Sequence, residues 1–126
     1  MAYRTPLARV RGLGSARTGA DHFWKQRLTA VANIFLVAFL VWLVVKLAGA
    51  DYATAKRTLA KPQYAIPLLL LILSGVIHMR LGMQTIIEDY VHSEGRKVVA
   101  LMLNLFFCVL VGLTCAFAVL KLSFGA

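Results

Sequence analysis

The sequence predicts an all-α integral membrane protein with three transmembrane helices. Three observations carry this reading. Apolar residues make up 60% of the chain and charged residues 15%, against roughly half and a quarter in soluble domains. The mean hydropathy is +0.77. Three apolar runs each reach about twenty residues, the length that crosses a hydrocarbon core of ~30 Å. The 126 residues therefore form a single membrane domain: a tail over 1–20, then spans at about 28–47, 64–87 and 98–120.

The tail is rich in Arg, Gly and Ala, with Pro6, Gly12, Gly14 and Gly19 arguing for an irregular segment. No secretory signal peptide is expected, because the first apolar run is longer than a signal h-region and lacks a cleavage site. The acid-poor tail resembles a transit peptide in composition; a short cytosolic tail explains it equally well. Asp21 is placed to cap a following helix. His22 to Arg27 interleave aromatic and basic residues in the manner of an interfacial belt.

The first span runs from Leu28 to Leu47. Trp42 and Lys46 mark its far end, where Lys46 snorkels outward. Asn33 is its strongly polar interior residue, suited to a hydrogen bond with a neighbouring helix. The loop over 48–63 contains Asp51, Lys56, Arg57 and Lys61, and residues 51–60 suit a short surface helix. Pro62 and Pro67 bracket the start of the second span, since proline is tolerated in a first helical turn. A second loop over about 88–97 is short, so spans two and three form an antiparallel pair. Asn104 is the polar interior residue of the third span, and Lys121 closes it. Cys108 and Cys115 are about 10 Å apart on one helix, too far for a disulfide.

Charge sets the orientation. The net charge is +9, but the basic residues lie mostly outside the apolar runs, which points to lipid head groups rather than nucleic acid. The side holding the N-terminus and the second loop carries eight Lys/Arg, at 4, 9, 11, 17, 25, 27, 96 and 97, against five at 46, 56, 57, 61 and 121. The excess puts the N-terminus inside. Zinc-type Cys/His clusters, phosphate loops and nucleophile–base pairs are all missing from the sequence, so the chain lacks the means to be an enzyme alone.

The stretch from Ser74 to Tyr90 is where chemistry concentrates. At 100° per residue, Ser74, Gly75, His78, Gly82, Thr85 and Asp89 share one small, polar helix face. A histidine at membrane depth is costly and usually functional. Gly75 and Gly82 leave a recess on either side of its ring, which accepts a close-packed helix or a planar cofactor. Neutral imidazole commonly holds haem iron. A six-coordinate haem needs two axial ligands, and His22 and His92 lie near the surface, so a second chain is required for the other. Arg80 is a snorkelling or ion-pairing residue, or a partner for a haem propionate; Arg27, on the same membrane side, suits that role as well or better. Tyr90 and Asp89 stand where the second span leaves the membrane. Tyr90 is an interfacial anchor, or a hydrogen-bond donor to a quinone carbonyl with Asp89 as its orienter or proton relay.

His78-Met79-Arg80-Leu81-Gly82-Met83, followed by Asp89-Tyr90, resembles the D-type hydrophobic membrane-anchor subunit of succinate dehydrogenase, respiratory complex II. Asp21-His22-Phe23-Trp24-Lys25-Gln26-Arg27-Leu28-Thr29-Ala30 resembles the same family's segment before its first span, and the likeness covers most of residues 19–122. The resemblance implies half of a helical bundle shared with a C-type partner anchor, the two enclosing one b-type haem. It implies that His78 is this chain's axial ligand to the haem iron and that Arg27 lies near the propionates. His22 corresponds only loosely. It also implies a flavoprotein and an iron–sulfur subunit docked on the cytoplasmic or matrix face of a bacterial or mitochondrial inner membrane. Electrons pass from succinate to ubiquinone there, linking the tricarboxylic acid cycle to the respiratory chain, with the quinone-site tyrosine at Tyr90 and Asp89 beside it. The competing expectations are a fumarate reductase anchor, or a structural three-helix subunit in which His78 only packs.

Overall fold

The computed structural model describes residues 5–12 and 18–124. Its helices are α1 (Pro6–Val10), α2 (Thr18–Leu47), α3 (Tyr52–Leu59), α4 (Pro62–Tyr90) and α5 (Glu94–Phe124), with no strand among the described residues. The protein is all-α, with three helices long and apolar enough to cross a membrane. At 1.5 Å per residue, the 30, 29 and 31 residues of α2, α4 and α5 extend well beyond a hydrocarbon core of ~30 Å. The helical ends therefore project into the head-group region.

The helices run past the expected spans. α2 starts at Thr18, so Asp21 lies in its first turn and pairs with Lys25 one turn on, where an acidic side chain complements the helix dipole. The helix ends at Leu47, and Gly49 in the turn that follows has a φ of 80°, the left-handed conformation that glycine adopts without strain. α4 starts on Pro62, at a position that needs no N–H donor, and Pro67 lies inside the helix. At its other end α4 continues through Glu88, Asp89 and Tyr90, so only residues 91–93 separate it from α5. Ser93 accepts the Lys97 N–H at 2.8 Å and Glu94 supplies the first-turn acid. Within the tail, Pro6–Val10 is helical rather than irregular; Gly14 lies outside the described residues.

The long helices form a row. α4 packs along both α2 and α5, and no comparable contact joins α2 to α5 among the described residues. α3 rests on α4 and α5 at the end of the bundle where α2 finishes. The inward side of α2 carries His22, Gln26, Thr29, Asn33, Leu36, Leu40, Leu43 and Leu47, all buried or half-buried. Their 4-3-4-3 spacing is the seam of a helix pair. The seam is polar toward the N-terminus and leucine-only beyond Asn33, with Leu43 2% exposed. α5 repeats the spacing with Lys97, Leu101, Asn104, Cys108 and Val111. Cys108 is buried and both cysteines are free thiols.

Small residues set the α4–α5 approach, as in membrane helix pairs generally. A methyl group at Gly112 would lie 3.2 Å from Val76 Cγ2. Asn104 Nδ2 donates to the Arg80 carbonyl at 3.0 Å, and Cys108 Sγ donates to Asn104 Oδ1 at 3.5 Å. Gly112→Leu should therefore force α5 away from α4 and cost about 1–3 kcal/mol. A lowered thermal midpoint of the membrane-extracted assembly checks this; an unchanged midpoint would mean that the two helices do not meet at Gly112.

Candidate functional site

His78 sits about halfway along α4, half-buried, on the side that faces α2. Its Nδ1 lies 3.2 Å from Thr29 Oγ1. One turn earlier, Ser74 Oγ donates to the Thr29 carbonyl at 3.3 Å. Thr29 thus touches α4 through both its hydroxyl and its backbone. The Thr29 hydroxyl also contacts the Lys25 carbonyl at 2.8 Å and the Gln26 carbonyl at 3.1 Å, the back-bonding usual for threonine in a helix. Among the described residues, His78 Nε2 has no hydrogen-bond partner.

The two glycines beside the ring differ in what they meet. A methyl group at Gly82 would lie 3.2 Å from Gln26 Nε2, so Gln26 already fills that recess. Gly75 faces open space, with nothing within 4 Å of the position its Cβ would take. The polar face of α4 is therefore closed by α2 on the Gly82 side and open at Gly75. Thr85 and Asp89 complete the face and are exposed.

Three buried polar atoms on the α2 seam lack hydrogen-bond partners among the described residues: His22 Nε2, Gln26 Oε1 and Asn33 Oδ1. Such atoms cost roughly 1–3 kcal/mol each unless water or another chain bonds them. The Asn33 oxygen thus does not find the neighbouring-helix bond expected for it within this chain. Near His22, the α2–α4 cleft opens into a cavity of about 400 Å³ lined by Asp21, His22, Lys25, Ile77, Arg80 and Leu81. Arg80, exposed at that cleft, also borders a second cavity of about 320 Å³ against α5.

The other predicted residues lie apart from this cluster. Arg27 is two positions from Thr29, hence about 160° away around the helix, and its guanidinium stacks 4.4 Å from the Phe23 ring centroid. Asp89 shares the face of His78 by helix periodicity. Tyr90 is the last residue of α4, 78% exposed, and about 18 Å farther along the axis than His78. At the opposite end of the bundle, Lys46 Nζ donates to Tyr64 Oη at 2.6 Å and lies 4.9 Å from both the Trp42 and Tyr64 ring centroids. That cluster pins α2 to α4 instead of leaving Lys46 free to snorkel.

Comparison with known proteins gives consistent results. A family model described as succinate dehydrogenase/fumarate reductase transmembrane subunit matches residues 1–114. The succinate dehydrogenase hydrophobic membrane anchor subunit of Rickettsia bellii is 29% identical over 105 residues, 82% of this chain and 84% of the relative. The subunit of the same name from Paracoccus denitrificans is 28% identical over 126 residues, covering 100% of this chain and 97% of the relative. The succinate dehydrogenase membrane anchor subunit of Reclinomonas americana is 28% identical over 90 residues, 69% and 75% of the respective chains.

Gln26 and Thr29 are the residues that motif reading of α4 alone passes over. Their signal is the spacing of polar residues at 22, 26, 29 and 33, which places all four on one face of α2. Because only the tip of Gln26 opposes Gly82, Gly82→Ala should change stability by no more than about 0.5 kcal/mol. Gly82→Leu should displace Gln26 and destabilise the α2–α4 pair by about 1–3 kcal/mol. Thermal midpoints of the two variants in the assembled protein check this; equal midpoints would mean that α2 does not pack at Gly82.

Proposed function

The chain belongs to the succinate dehydrogenase/fumarate reductase transmembrane subunit family, and on that premise we propose that it is a multi-pass membrane anchor of a succinate dehydrogenase. In this reading it pairs with a C-type anchor and holds the flavoprotein and iron–sulfur subunits at the membrane. Its relatives' names favour the succinate-oxidising direction over fumarate reduction. The Lys/Arg excess puts the N-terminus and the α4–α5 connection on the cytoplasmic or matrix side, with Tyr90 facing the catalytic subunits.

His78 would be this chain's ligand to the iron of a b-type haem, held through Nε2. The observation that carries this is the combination of an Nδ1 contact to Thr29 with an open face at Gly75. A ring held at one nitrogen, beside space that no side chain of this chain occupies, fits a planar group and needs a second ligand from the partner. When bound, the haem supplies a one-electron redox centre. Arg80 stands at the cleft nearest His22 and is placed to offer a propionate a charge-assisted bond. Arg27 reaches the same membrane level from the far side of α2 and serves that role only if it leaves Phe23.

Tyr90 and Asp89 are the chain's contribution to ubiquinone reduction. Reduction of a quinone to a quinol takes two electrons and two protons. The electrons come from the catalytic subunits. The Tyr90 hydroxyl donates a hydrogen bond to a quinone carbonyl oxygen, polarising it, and Asp89 orients the phenol or returns protons from water. Tyr90 exposes most of its surface, as a residue whose site is completed by other chains would.

Two substitutions in the complete, purified complex test the reading. His78→Ala should abolish a low-spin b-type optical signal while the four subunits still co-purify; an unchanged spectrum would remove His78 as a ligand. Tyr90→Phe should lower succinate-driven ubiquinone reduction by roughly 10²-fold and leave succinate oxidation by an artificial acceptor intact. Full quinone reductase activity in that variant would make Tyr90 an interfacial anchor only.

A further inference from the structure

Thr29 carries the polar contact between α2 and the His78 ring, and its hydroxyl has a single proton to give. That proton has two carbonyl acceptors on its own helix, Lys25 at 2.8 Å and Gln26 at 3.1 Å. Carbonyl oxygens only accept, so those contacts are hydrogen bonds only if Thr29 donates. With the proton on the nearer Lys25 carbonyl, the 3.2 Å contact to His78 Nδ1 runs the other way, with Nδ1–H donating to a lone pair of Thr29 Oγ1. A neutral imidazole carries one proton, and which nitrogen holds it is set by the bond that the other makes. With Nδ1 protonated, the lone pair is on Nε2.

We infer that Thr29 is a positioning residue: it holds His78 in the Nδ1–H form and so keeps Nε2 as the nitrogen able to bind iron. The inference rests on the reading of His78 as a haem ligand and deepens it. The arrangement is reinforced from α4. Ser74, one turn before His78, donates to the Thr29 carbonyl, fixing the backbone that carries the hydroxyl. Threonine's branched Cβ restricts χ1, so the acceptor is held in place. Gln26, the nearest alternative on the same face, packs against Gly82. A hydrogen bond accepted from the far nitrogen also makes an imidazole a stronger donor to a metal, which favours the ferric over the ferrous state.

The test uses the complete complex with its partner anchor and catalytic subunits, comparing wild type with Thr29→Val, Thr29→Ala and Thr29→Ser by potentiometric titration of the haem band and by haem content. Thr29→Val and Thr29→Ala should move the ferric/ferrous equilibrium toward ferrous by up to about tenfold, a rise of at most ~59 mV for a one-electron couple. Both should loosen the haem by roughly 10–100-fold. Thr29→Ser keeps the acceptor and should restore the wild-type midpoint. Should the valine variant not assemble, the alanine and serine pair decides the matter. Midpoints and haem content unchanged in the hydroxyl-less variants would overturn the role of Thr29 while leaving His78 as ligand. A wild-type complex without b-type haem, or a His78→Ala variant that keeps it, would remove the parent reading as well.

Discussion

The structure depends on one polar clamp between α2 and α4. Thr29 meets Ser74 through its carbonyl and His78 through its hydroxyl, so two α4 positions one turn apart grip a single α2 residue. In lipid, burying apolar side chains against one another gives little driving force, since the tails are as apolar as leucine. Register between membrane helices is therefore set by close approach and by polar pairs. Here the leucine half of the α2 seam supplies contact, whereas the polar half specifies depth and rotation. A shift of one residue would move the Thr29 hydroxyl away from the His78 ring and push Gln26 off Gly82.

The row arrangement of α2, α4 and α5 follows from which helices have two usable sides. α4 carries small or polar residues toward α2 at Ser74, His78 and Gly82. Toward α5 it offers Val76, against which Gly112 packs, and the Arg80 carbonyl, which Asn104 reaches. α2 and α5 each present one seam. Much of their remaining surface is exposed and apolar, including Phe35, Val44, Phe106 and Phe117. Lipid or a partner chain covers that surface in a membrane, and the unpartnered oxygens of Gln26 and Asn33 add polar demands that this chain does not meet.

The fold was largely legible in the sequence, because membrane spans announce themselves through length and hydropathy. The helix ends were not. α2 starts at Thr18, about ten residues before the apolar run, because polar residues such as Asp21 and Lys25 continue a helix in the head-group region by pairing one turn apart. Glu88 to Tyr90 likewise remain helical, since Gln84 Nε2 bonds Glu88 Oε1 one turn on. Of the candidate site, His78 and its two glycines could be read from α4 alone. The Thr29 contact could not, because it joins residues 49 positions apart in the chain, and no local pattern on α4 predicts which α2 residue opposes His78. Arg27 is a second case. Its place before the first span puts it at the membrane level of Arg80, whereas its stacking on Phe23, on the side of α2 away from Thr29, is a contact that the linear sequence does not specify.

The most direct measurement is an experimental structure of the whole complex in a lipid nanodisc, resolved well enough to place the His78 ring. Haem iron should then lie at coordination distance from Nε2, with Nδ1 still on Thr29 and the macrocycle in the space beside Gly75. A ring whose Nε2 instead bonds a partner side chain, with lipid or protein filling the space at Gly75, would contradict that arrangement.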